Sequence, residues 1–486
     1  MKLLKDILYK VKLSSVIGST GISINSIQFD SRKVTNGDLF VAVLGNKSDG
    51  NTYIDDAIEK GAKVVLSKFD PKKIIKEVTY LKVDNTRESL AYLASNFYDN
   101  PSEKLNLIGV TGTNGKTTTT TLMFQLFRLF NQSSGLISTN KILINDKVFD
   151  SDLTTPDPLT LNKFLDQMVK SKIKYCFMEV SSHSIKQKRI NGLNFKAGVF
   201  TNLSHDHLDY HKTFSEYRNV KKAFFDSLDA DSVSIINVDD KNGNYISQNC
   251  RSKILRYALK SNSDHSLKIL EKDFNGMKIN INGIEVWTKL TGQFNAYNLL
   301  ATYALAKNYN FSNTEILNKI SLLNNVEGRF ERVCNRGSNK IGIIDYAHSP
   351  DSVQNILETI NDIKNKSSLI TVIGCGGDRD FKKRPEMGRI AAALSDIVVF
   401  TSDNPRFEDP NLIIEQMQSG IEKKDKHKVY SIVDRKKAIK HACEMSSNDD
   451  VILVAGKGHE KYQIHGDKKI DFDDKIILMK FLKCKN

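Results

Sequence analysis

Short apolar runs alternate with amphipathic stretches along most of the chain. In the middle of the chain, the strand-length runs are 105–110, 175–180, 198–202 and 232–238. After Gly328 they recur, with helical patterns between them, at 340–345, 369–374, 396–401 and 450–455. Strands that alternate with helices are typical of parallel sheets covered by helices. The pattern therefore predicts an α/β fold that binds its ligands beyond the carboxyl ends of the strands.

The first hundred residues form a separate unit in this pattern. They contain short strands and loops, and then helical stretches at 51–61 and 87–98 on either side of a strand at 62–67. The second helical stretch ends at Asn100-Pro101, because proline disfavours helical geometry in the residue before it. We therefore predict an N-terminal α/β domain, a central parallel-sheet domain and a C-terminal Rossmann-like α/β domain, with the bounds 1–101, 102–328 and 329–486.

Length and composition fit a multidomain globular protein. The 486 residues exceed one domain of usual size, and 40% hydrophobic with 26% charged residues is ordinary globular composition. No apolar run approaches the roughly 20 residues of a membrane span, and lysines interrupt the apolar positions of residues 1–13, so we expect no secretory signal. Six scattered cysteines without metal or redox spacing suit reduced thiols. We therefore expect a cytoplasmic protein without a membrane span. The sequence leaves its oligomeric state open, with a monomer as the default expectation.

The net charge raises the question of a nucleic-acid partner. Lys+Arg 71 against Asp+Glu 57 gives a formal charge of +14. The basic residues are dispersed among acids, however, and no aromatic residues alternate with them as a groove for single strands would require. We therefore expect no nucleic-acid partner and favour a pocket for small phosphorylated molecules.

A glycine-rich segment follows the apolar run 105–110 and precedes a long helical pattern that ends near residue 130. Its sequence is Thr111-Gly112-Thr113-Asn114-Gly115-Lys116-Thr117. Backbone N–H groups of such a turn cradle phosphate oxygens, the lysine faces the terminal phosphates, and the threonine hydroxyl reaches magnesium. The strict phosphate-loop pattern has glycine where Val110 stands, but Gly112 still relieves the turn.

Polar residues after the next strands suggest a metal. Glu179 ends the run 175–180, where an acid commonly lies beside a phosphate loop. A histidine-rich segment, 206–211, follows a further strand. Zinc is an alternative for these histidines, but no cysteines accompany them and the neighbours favour hard oxygen ligands. Residues 46–49 match a guanine-specificity tetrad, but they precede the phosphate loop, so we treat that match as chance.

Several motifs together resemble the Mur ligases, the ATP-dependent amino-acid ligases of peptidoglycan synthesis. The resemblance extends over essentially the whole chain, and its N-terminal part, at 29–32 and 37–50, is similar to the uridine-nucleotide-binding domain of the tripeptide synthetases of that family. The matching segments are 111–118, 178–183, 202–211, 290–298, 326–332, 345–350 and 455–460.

This resemblance implies a role for each matched residue. It implies that ATP is bound by Thr111, Gly112, Thr113, Asn114, Gly115, Lys116, Thr117, Asn295, Asn298, Arg329 and Asp345. It implies that Lys116, Glu179, His207 and Lys221 are catalytic, and that the magnesium ligands, for two ions, are Thr117, Glu179, His207 and Lys221 as a carbamate. For the UDP-linked muramoyl peptide it implies Ser31, Asn46, Lys47, Ser48, Thr154, Thr155, Ser181, Gln187 and Arg189. From the residues alone, Lys221 is predicted to be an exposed lysine on a helix, and nothing distinguishes it from Lys222 beside it.

The resemblance also implies the incoming amino acid. Asp403-Asn404-Pro405-Arg406 matches a motif that accompanies meso-diaminopimelate, which differs from lysine by one carboxylate that a guanidinium can grip. Arg379 is a second candidate for that grip, and Gly456 and Glu460 match positions at the distal amino-acid end. Ligation of L-lysine or another diamino acid is the alternative. Folylpolyglutamate synthases share the ATP core but should lack the N-terminal domain and this motif.

The implied reaction begins at the D-glutamyl γ-carboxylate of UDP-N-acetylmuramoyl-L-alanyl-D-glutamate. The carboxylate attacks the γ-phosphate of ATP to give an acyl phosphate and ADP, and the amine of the diamino acid then displaces phosphate. The base that deprotonates the amine stays open among His207, His348 and a bound water.

Overall fold

The computed structural model describes residues 1–45, 48–206, 208–334 and 340–482. Three main sheets with helices packed on them follow one another along the chain. The predicted α/β fold with three domains is therefore confirmed. The predicted boundaries, after residues 101 and 328, stay predictions; each lies between the last strand of one sheet and the first strand of the next.

The N-terminal domain is built on a five-stranded sheet. Its strands, with a separate pair formed by the first and third, are β1 Lys2–Leu3, β2 Leu13–Ile17, β3 Ser23–Ile24, β4 Ile27–Gln28, β5 Leu39–Val41, β6 Val64–Ser67 and β7 Thr79–Val83. Its helices are α1 Leu4–Ile7, α2 Ile54–Glu59 and α3 Thr86–Phe97. The sheet order is β2-β7-β6-β5-β4, and only β2 runs antiparallel to its neighbour. The predicted helix at 51–61 begins as a 3₁₀ turn, Gly50–Tyr53, before α2.

The central domain is built on an eleven-stranded sheet. Its strands are β8 Asn106–Thr111, β9 Ser134–Ile137, β10 Ile142–Ile144, β11 Lys147–Phe149, β12 Tyr175–Glu179, β13 Ala197–Phe200, β14 Val233–Asn237, β15 Lys253–Ala258, β16 His265–Asp273, β17 Gly276–Ile281 and β18 Ile284–Thr288. Its helices are α4 Lys116–Leu129, α5 Pro158–Lys170, α6 Ser182–Lys186, α7 Leu208–His211, α8 Phe214–Asp226, α9 Gly243–Ser247, α10 Gln293–Asn308 and α11 Asn313–Ile320.

The strand order of this sheet is β11-β10-β9-β12-β8-β13-β14-β15-β16-β17-β18. The strands from β9 to β16 are parallel, whereas β10 and β11 at one edge and β17 and β18 at the other are antiparallel. The predicted alternation of parallel strands with helices therefore ends at β16. Strands β16, β17 and β18, at 265–288, follow one another without helices and pair in antiparallel fashion. The strands there are partly exposed, so they lack the continuous apolar runs that mark strands buried on both faces.

Helices α4 and α10 pack on one another over the middle of this sheet. Leu122, Leu126 and Phe127 of α4 share a core with Leu299 and Tyr303 of α10, and all five side chains are buried. This packing fixes the helix that begins at the phosphate loop. Helix α10 is the longest described helix, with 16 residues. None of the described helices is long and apolar enough to cross a membrane.

The C-terminal domain is built on a six-stranded sheet of order β19-β20-β24-β21-β22-β23, with a separate hairpin. The strands are β19 Glu331–Cys334, β20 Ile341–Asp345, β21 Leu369–Ile373, β22 Ile397–Phe400, β23 Val429–Ser431, β24 Val451–Ala455, β25 Tyr462–His465 and β26 Lys468–Asp471. The helices are α12 Pro350–Ile363, α13 Lys383–Leu394, α14 Pro410–Gln418, α15 Arg435–Met445 and α16 Asp474–Phe481. All strands of the sheet except β19 are parallel to their neighbours, so the polar segments after β20, β21, β22 and β24 meet at one edge.

Candidate functional site

The predicted phosphate loop joins β8 to α4, as the sequence indicates. The backbone N–H of Thr113 donates to the carbonyl oxygen of Asn202 over 2.9 Å, and that of Asn114 donates to Asn202 Oδ1 over 2.9 Å. Thr201 Oγ1 donates to the Asn114 carbonyl oxygen over 2.6 Å. The segment after β13 therefore holds the loop in one shape. This role of Thr201 and Asn202 was not predicted from the sequence, although Asn202 begins the matched segment 202–211 and Thr201 precedes it.

Two glycines allow this close packing. A Cβ atom on Gly112 would lie 1.9 Å from Thr201 Oγ1, and one on Gly115 would lie 2.7 Å from Asn298 Oδ1. Gly115 also has a φ of 85°, which side chains disfavour. Asn298 accepts a hydrogen bond from Thr119 Oγ1 and donates one to Asn295 Oδ1 over 3.3 Å. The two predicted asparagines of α10 therefore lie directly behind the loop.

Two lysines, the half-buried Lys116 and the buried Lys221, meet at the carbonyl oxygen of Gly112. Lys116 Nζ donates to it over 3.0 Å and Lys221 Nζ over 2.8 Å. Burial lowers the pKa of both amines. For Lys116, the negative charges of Glu179 and Asp206 oppose this lowering of the pKa. For Lys221, the positive charge of Lys116 lowers the pKa further. The interpretation of Lys221 as an exposed helix lysine is wrong, since its exposed fraction is 1%.

The neighbouring lysine is distinguishable from Lys221 in the folded chain. Lys222 forms an ion pair with Asp226 and donates to the Gln248 carbonyl oxygen over 2.6 Å. Adjacent positions on α8 point in different directions, so only Lys221 reaches the phosphate loop.

Two of the residues predicted to bind magnesium are Thr117, in the first turn of α4, and Glu179, at the end of β12, which pairs with β8. Glu179 is fully buried at the end of β12 and accepts hydrogen bonds from the Thr139 N–H over 2.7 Å and the Thr139 hydroxyl over 3.2 Å. Thr117 Oγ1 accepts from Arg329 Nη2 over 3.2 Å. A carboxylate and a hydroxyl are hard oxygen donors that fit magnesium, with phosphate oxygens completing its coordination.

Of the other two predicted metal ligands, Lys221 is described above and His207 lies outside the described residues. Within the described ranges, no group of three or more His, Cys, Asp or Glu side chains is placed to hold a metal ion.

A cavity of about 340 Å³ lies between the phosphate loop and the segment that joins β20 to α12. Arg329 and Asp345 line it together with Asn298. Asp345 accepts hydrogen bonds from the N–H groups of Phe330 and Ala347, each over 2.7 Å. Burial raises the pKa of Asp345, and Arg329 opposes this shift. Arg329 Nε is buried and bonds to no described residue, so it can serve a ligand in the cavity.

A carboxylate of the C-terminal domain contacts the phosphate loop directly. Asp351 Oδ2 accepts hydrogen bonds from Asn114 Nδ2 over 2.7 Å and from Ser204 Oγ over 3.2 Å. Burial raises the pKa of Asp351, and these hydrogen bonds oppose the shift. The sequence analysis missed Asp351, which is the residue immediately after the matched segment 345–350.

Two of the four residues predicted for the uridine nucleotide border a cavity of about 550 Å³ in the N-terminal domain. Ser31 and Ser48 both line it. Asn46 and Lys47 lie outside the described residues. Ser31 lies in a turn that Asp30 caps: the backbone N–H of Arg32 donates a hydrogen bond to Asp30 Oδ1 over 3.1 Å.

The residues predicted for the muramoyl peptide form one hydrogen-bonded network behind Glu179. Thr155 Oγ1 donates to the Glu179 carbonyl oxygen over 2.7 Å, and Ser181 N–H donates to Thr155 Oγ1 over 3.1 Å. Arg189 donates to the Thr155 carbonyl oxygen over 2.8 Å and to Gln187 Oε1 over 2.6 Å. Thr154 joins through a 3.1 Å contact between its hydroxyl and that of Thr139. The fold therefore brings together residues that lie far apart in the sequence.

The residues predicted for the amino acid meet beyond β22 and β24. Arg406 Nη1 donates to the Gly377 carbonyl oxygen over 2.7 Å, while Arg406 Nε and Nη2 donate to no described residue. A Cβ atom on Gly376 would lie 3.0 Å from Arg406 Nη1 and 3.7 Å from Cγ of the exposed Arg379, so the two arginines flank one loop. The Nε–Nη2 edge of Arg406 is the edge with which a guanidinium binds a carboxylate in parallel.

Two carboxylates belong to the same group of residues: Asp403 lies in the loop that carries this arginine, and Glu460 accepts a hydrogen bond from Asn404 of that loop. A Cβ atom on Gly456 would lie 2.6 Å from Asp403 Oδ2, so glycine lets the buried Asp403 approach. Burial, Glu460, Asp403 and Asp152 raise the pKa of Tyr462, and Arg406 opposes the shift. Tyr462, which was not predicted from the sequence, contacts Lys457, whose Nζ atom lies 5.4 Å from the ring centroid. Pro405 is buried within the same loop.

Three regions of the chain match domain families of the Mur ligases. Residues 23–98 match the Mur ligase family catalytic domain, 110–306 match the Mur ligase middle domain, and 328–458 match the Mur ligase glutamate ligase domain. Together these regions cover most of the chain.

Curated relatives and solved structures agree with these matches. UDP-N-acetylmuramoyl-L-alanyl-D-glutamate–2,6-diaminopimelate ligases are 48% identical in Cytophaga hutchinsonii, over 99% of both chains, and 48% identical in Phocaeicola vulgatus, over 98% of both. A solved structure with the same name has a TM-score of 0.69 at 29% identity and covers 99% of both chains. A folylpolyglutamate synthase from Mycobacterium tuberculosis shares the fold over 77% of this chain and 92% of its own, with a TM-score of 0.63 and 16% identity. The chain belongs to the Mur ligase family.

Proposed function

We propose that the protein is an ATP-dependent ligase that joins meso-diaminopimelate to the D-glutamyl γ-carboxylate of UDP-N-acetylmuramoyl-L-alanyl-D-glutamate. The products are the UDP-linked tripeptide, ADP and phosphate, in the synthesis of peptidoglycan precursors. Relatives at 45–48% identity over nearly the full length carry the names of ligases for these substrates, which supports the proposal.

Activation of the carboxylate would take place at the phosphate loop. A carboxylate does not condense with an amine in water, so the carboxylate must first be activated. An oxygen of the carboxylate would attack the γ-phosphorus of ATP. The bond from that phosphorus to the β–γ bridging oxygen would break, and ADP would leave. Lys116 would exchange its hydrogen bonds to the Gly112 and Thr113 carbonyl oxygens for the terminal phosphate oxygens. Arg329, whose Nε is unpartnered within the described residues, would add a second cation. Magnesium, held by Thr117 and Glu179, would supply Lewis-acid charge neutralisation.

We also propose that Lys221 carries a carbamate. Burial and the nearby Lys116 hold the pKa of Lys221 well below its usual value, so the amine is deprotonated more readily than a surface lysine. The neutral nitrogen attacks the carbon of CO₂, a proton leaves the nitrogen, and the product is an anion. A carbamate at this position would replace a second buried cation beside Lys116 with a metal-binding group.

The amine of the diamino acid then attacks the acyl carbon and phosphate leaves. The observation that carries the choice of amino acid is the Nε–Nη2 edge of Arg406, which donates to no described residue. Asn404, in the same loop, binds Glu460, whose carboxylate can pair with an ammonium. Diaminopimelate brings a carboxylate to that edge, whereas lysine leaves it without a partner. The arrangement therefore favours an amino acid whose distal end carries both a carboxylate and an ammonium.

The experiment compares ADP release with meso-diaminopimelate and with L-lysine, in the wild type and in Arg406→Ala. We expect kcat/KM for diaminopimelate to fall about 10- to 100-fold in the variant, since a hydrogen bond to a charged group contributes about 1.5–3 kcal/mol. Use of lysine should change little. Arg389→Ala, at an exposed position of α13, is the matched control. Unchanged use of diaminopimelate by Arg406→Ala would refute the assignment, and ATP turnover that depends on DNA or RNA would favour a nucleic-acid-dependent ATPase.

The proposal also concerns the cellular compartment and the oligomeric state of the protein. Cys176, Cys250 and Cys375 form no disulfides, and ATP together with a UDP-linked substrate fits the cytoplasm. We propose that the protein acts there as a monomer on small-molecule substrates.

A further inference from the structure

A fully buried lysine lies inside the residues predicted to bind the amino acid. Lys457 follows β24 and has an exposed fraction of 0%. Its Nζ atom donates to Asn404 Oδ1 over 3.1 Å and to Glu460 Oε2 over 3.0 Å. Asn404 Nδ2 donates to the same Glu460 oxygen over 2.9 Å. The three side chains therefore form a closed triangle of hydrogen bonds.

The triangle fixes the orientation of Glu460. The backbone N–H of Ile464 donates to Asn404 Oδ1 over 3.0 Å, which sets the direction of that amide and leaves its nitrogen for Glu460. Glu460 Oε2 then holds two donors, from Asn404 and Lys457. No described residue donates a hydrogen bond to Glu460 Oε1, so this oxygen is left for a ligand. The side chain of Glu460 retains 16% exposure.

The charges around this oxygen are balanced by Lys457. Asp403 and Glu460 contribute two negative charges, Arg406 and Lys457 contribute two positive charges, and the nearby buried pair of Arg435 and Asp474 is neutral. A balanced site suits a ligand end that itself carries one carboxylate and one ammonium. Without Lys457, the site would carry one excess negative charge, which suits an end that carries an ammonium alone.

We propose that Lys457 is a positioning residue that acts through Glu460 and sets the preference for a zwitterionic amino-acid end over a purely cationic one. The inference rests on the proposed ligation of a diamino acid. Lys457 orients Glu460 Oε1 toward the incoming ammonium and offsets the second carboxylate of the site, so that the ligand's own carboxylate can remain on Arg406. It touches no reacting atom.

A double-mutant cycle tests whether Lys457 acts through Glu460. The variants are Lys457→Met, Glu460→Gln and the two combined, with Lys436→Met at an exposed position of α15 as the matched control. ADP release gives kcat and KM for meso-diaminopimelate and L-lysine, and KM for ATP is measured alongside. Thermal unfolding checks each variant; if Lys457→Met does not fold, Lys457→Gln, which keeps an N–H donor without the charge, takes its place in the cycle.

We expect Lys457→Met to raise KM for diaminopimelate at least about tenfold, because it removes a charge-assisted hydrogen bond from the group that holds the ammonium. KM for ATP should stay within about twofold, and the ratio of kcat/KM for diaminopimelate to that for lysine should fall. In the Glu460→Gln background the same substitution should add little, since the group it orients is already altered.

Full additivity of the two substitutions, an unchanged amino-acid preference, or equal losses in KM for ATP and diaminopimelate would overturn the role of Lys457. These outcomes are distinct from failure of the proposed function, in which the wild type itself would release no ADP with either diamino acid. The control variant should match the wild type throughout.

Discussion

The buried ion pair beneath the amino-acid residues should be essential for the C-terminal domain. Arg435 donates from Nε and Nη2 to the two oxygens of Asp474, each over 2.7 Å, and both side chains are 0% exposed. Arg435 Nη2 also donates to the Ala455 carbonyl oxygen over 2.9 Å, directly before Gly456. Burial lowers the pKa of Arg435, and Asp474 more than offsets this, so the pKa lies above its usual value. The pair therefore joins α15 and α16 to the end of β24.

Asp474→Asn would leave a buried guanidinium without a counter-charge. Breaking one partner of a buried pair costs about 3–5 kcal/mol, which for a domain of this size lowers the unfolding temperature by roughly 6–20 °C. Replacing both charges, by Arg435→Met with Asp474→Leu, should cost much less than the sum of the single substitutions, because no charge is left unpaired. Lys440→Met on α15, whose partner Glu444 is 59% exposed, is the control and should cost less than about 1 kcal/mol.

Hydrogen exchange resolved by peptide is the suitable assay. The only tryptophan, Trp287, lies in β18 of the central domain, so its fluorescence would not report on the C-terminal sheet. Exchange of the amides in β24 should accelerate in Asp474→Asn and stay near wild-type rates in the control. A loss below about 1 kcal/mol in Asp474→Asn, or a double variant as unstable as the sum of the single ones, would refute this reasoning.

Three further predictions concern the phosphate loop and acid stability. Lys221→Met should lower the rate of ADP release at least about 100-fold, as loss of a charge-stabilising group does. Lys222→Met, the control, should leave the rate unchanged. Depletion of CO₂ should inhibit only proteins that retain Lys221. Gly112→Ala should lower kcat/KM for ATP at least about tenfold, since its Cβ would lie 1.9 Å from a threonine hydroxyl oxygen, whereas Gly21→Ala, with 3.5 Å to its nearest neighbour, should be silent. Burial lowers the pKa of His211 from 6.5 to about 4, so the unfolded chain binds an extra proton between these values. Stability should therefore fall as pH drops through that window, by up to about 1.4 kcal/mol per unit for this residue, and His211→Asn should flatten the dependence in acid-unfolding curves.

The sequence predicts well those features that depend on local pattern. Continuous apolar runs located β8, β12 and β24 to within about a residue, because strands buried on both faces exclude polar side chains. The antiparallel edge at 265–288 was missed for the converse reason: strands β16 and β18 are mostly exposed or half-buried and contain charged residues, so they form no continuous apolar run.

Features that depend on tertiary contact could not be predicted from local pattern. Nothing in the sequence separates Lys221 from Lys222, since their burial is decided by how α8 packs against the phosphate loop. The same holds for Asp351 and Lys457, which could not be predicted from local pattern either. Asp351 follows a matched segment and Lys457 lies within one, but each contacts a residue far away in the sequence, Asn114 and Asn404 respectively. The matched residues in the described ranges fall into separate groups at the N-terminal cavity, the phosphate loop and the C-terminal sheet, and their individual roles stay predictions.

The central claim is that ATP activates a substrate carboxylate by transfer of its γ-phosphoryl group. The most direct measurement uses UDP-N-acetylmuramoyl-L-alanyl-D-glutamate labelled with oxygen-18 in the γ-carboxylate, with ATP and meso-diaminopimelate. An acyl phosphate intermediate predicts that each released phosphate carries one oxygen atom from the labelled carboxylate. Phosphate without oxygen-18, released together with the tripeptide product, would contradict the account.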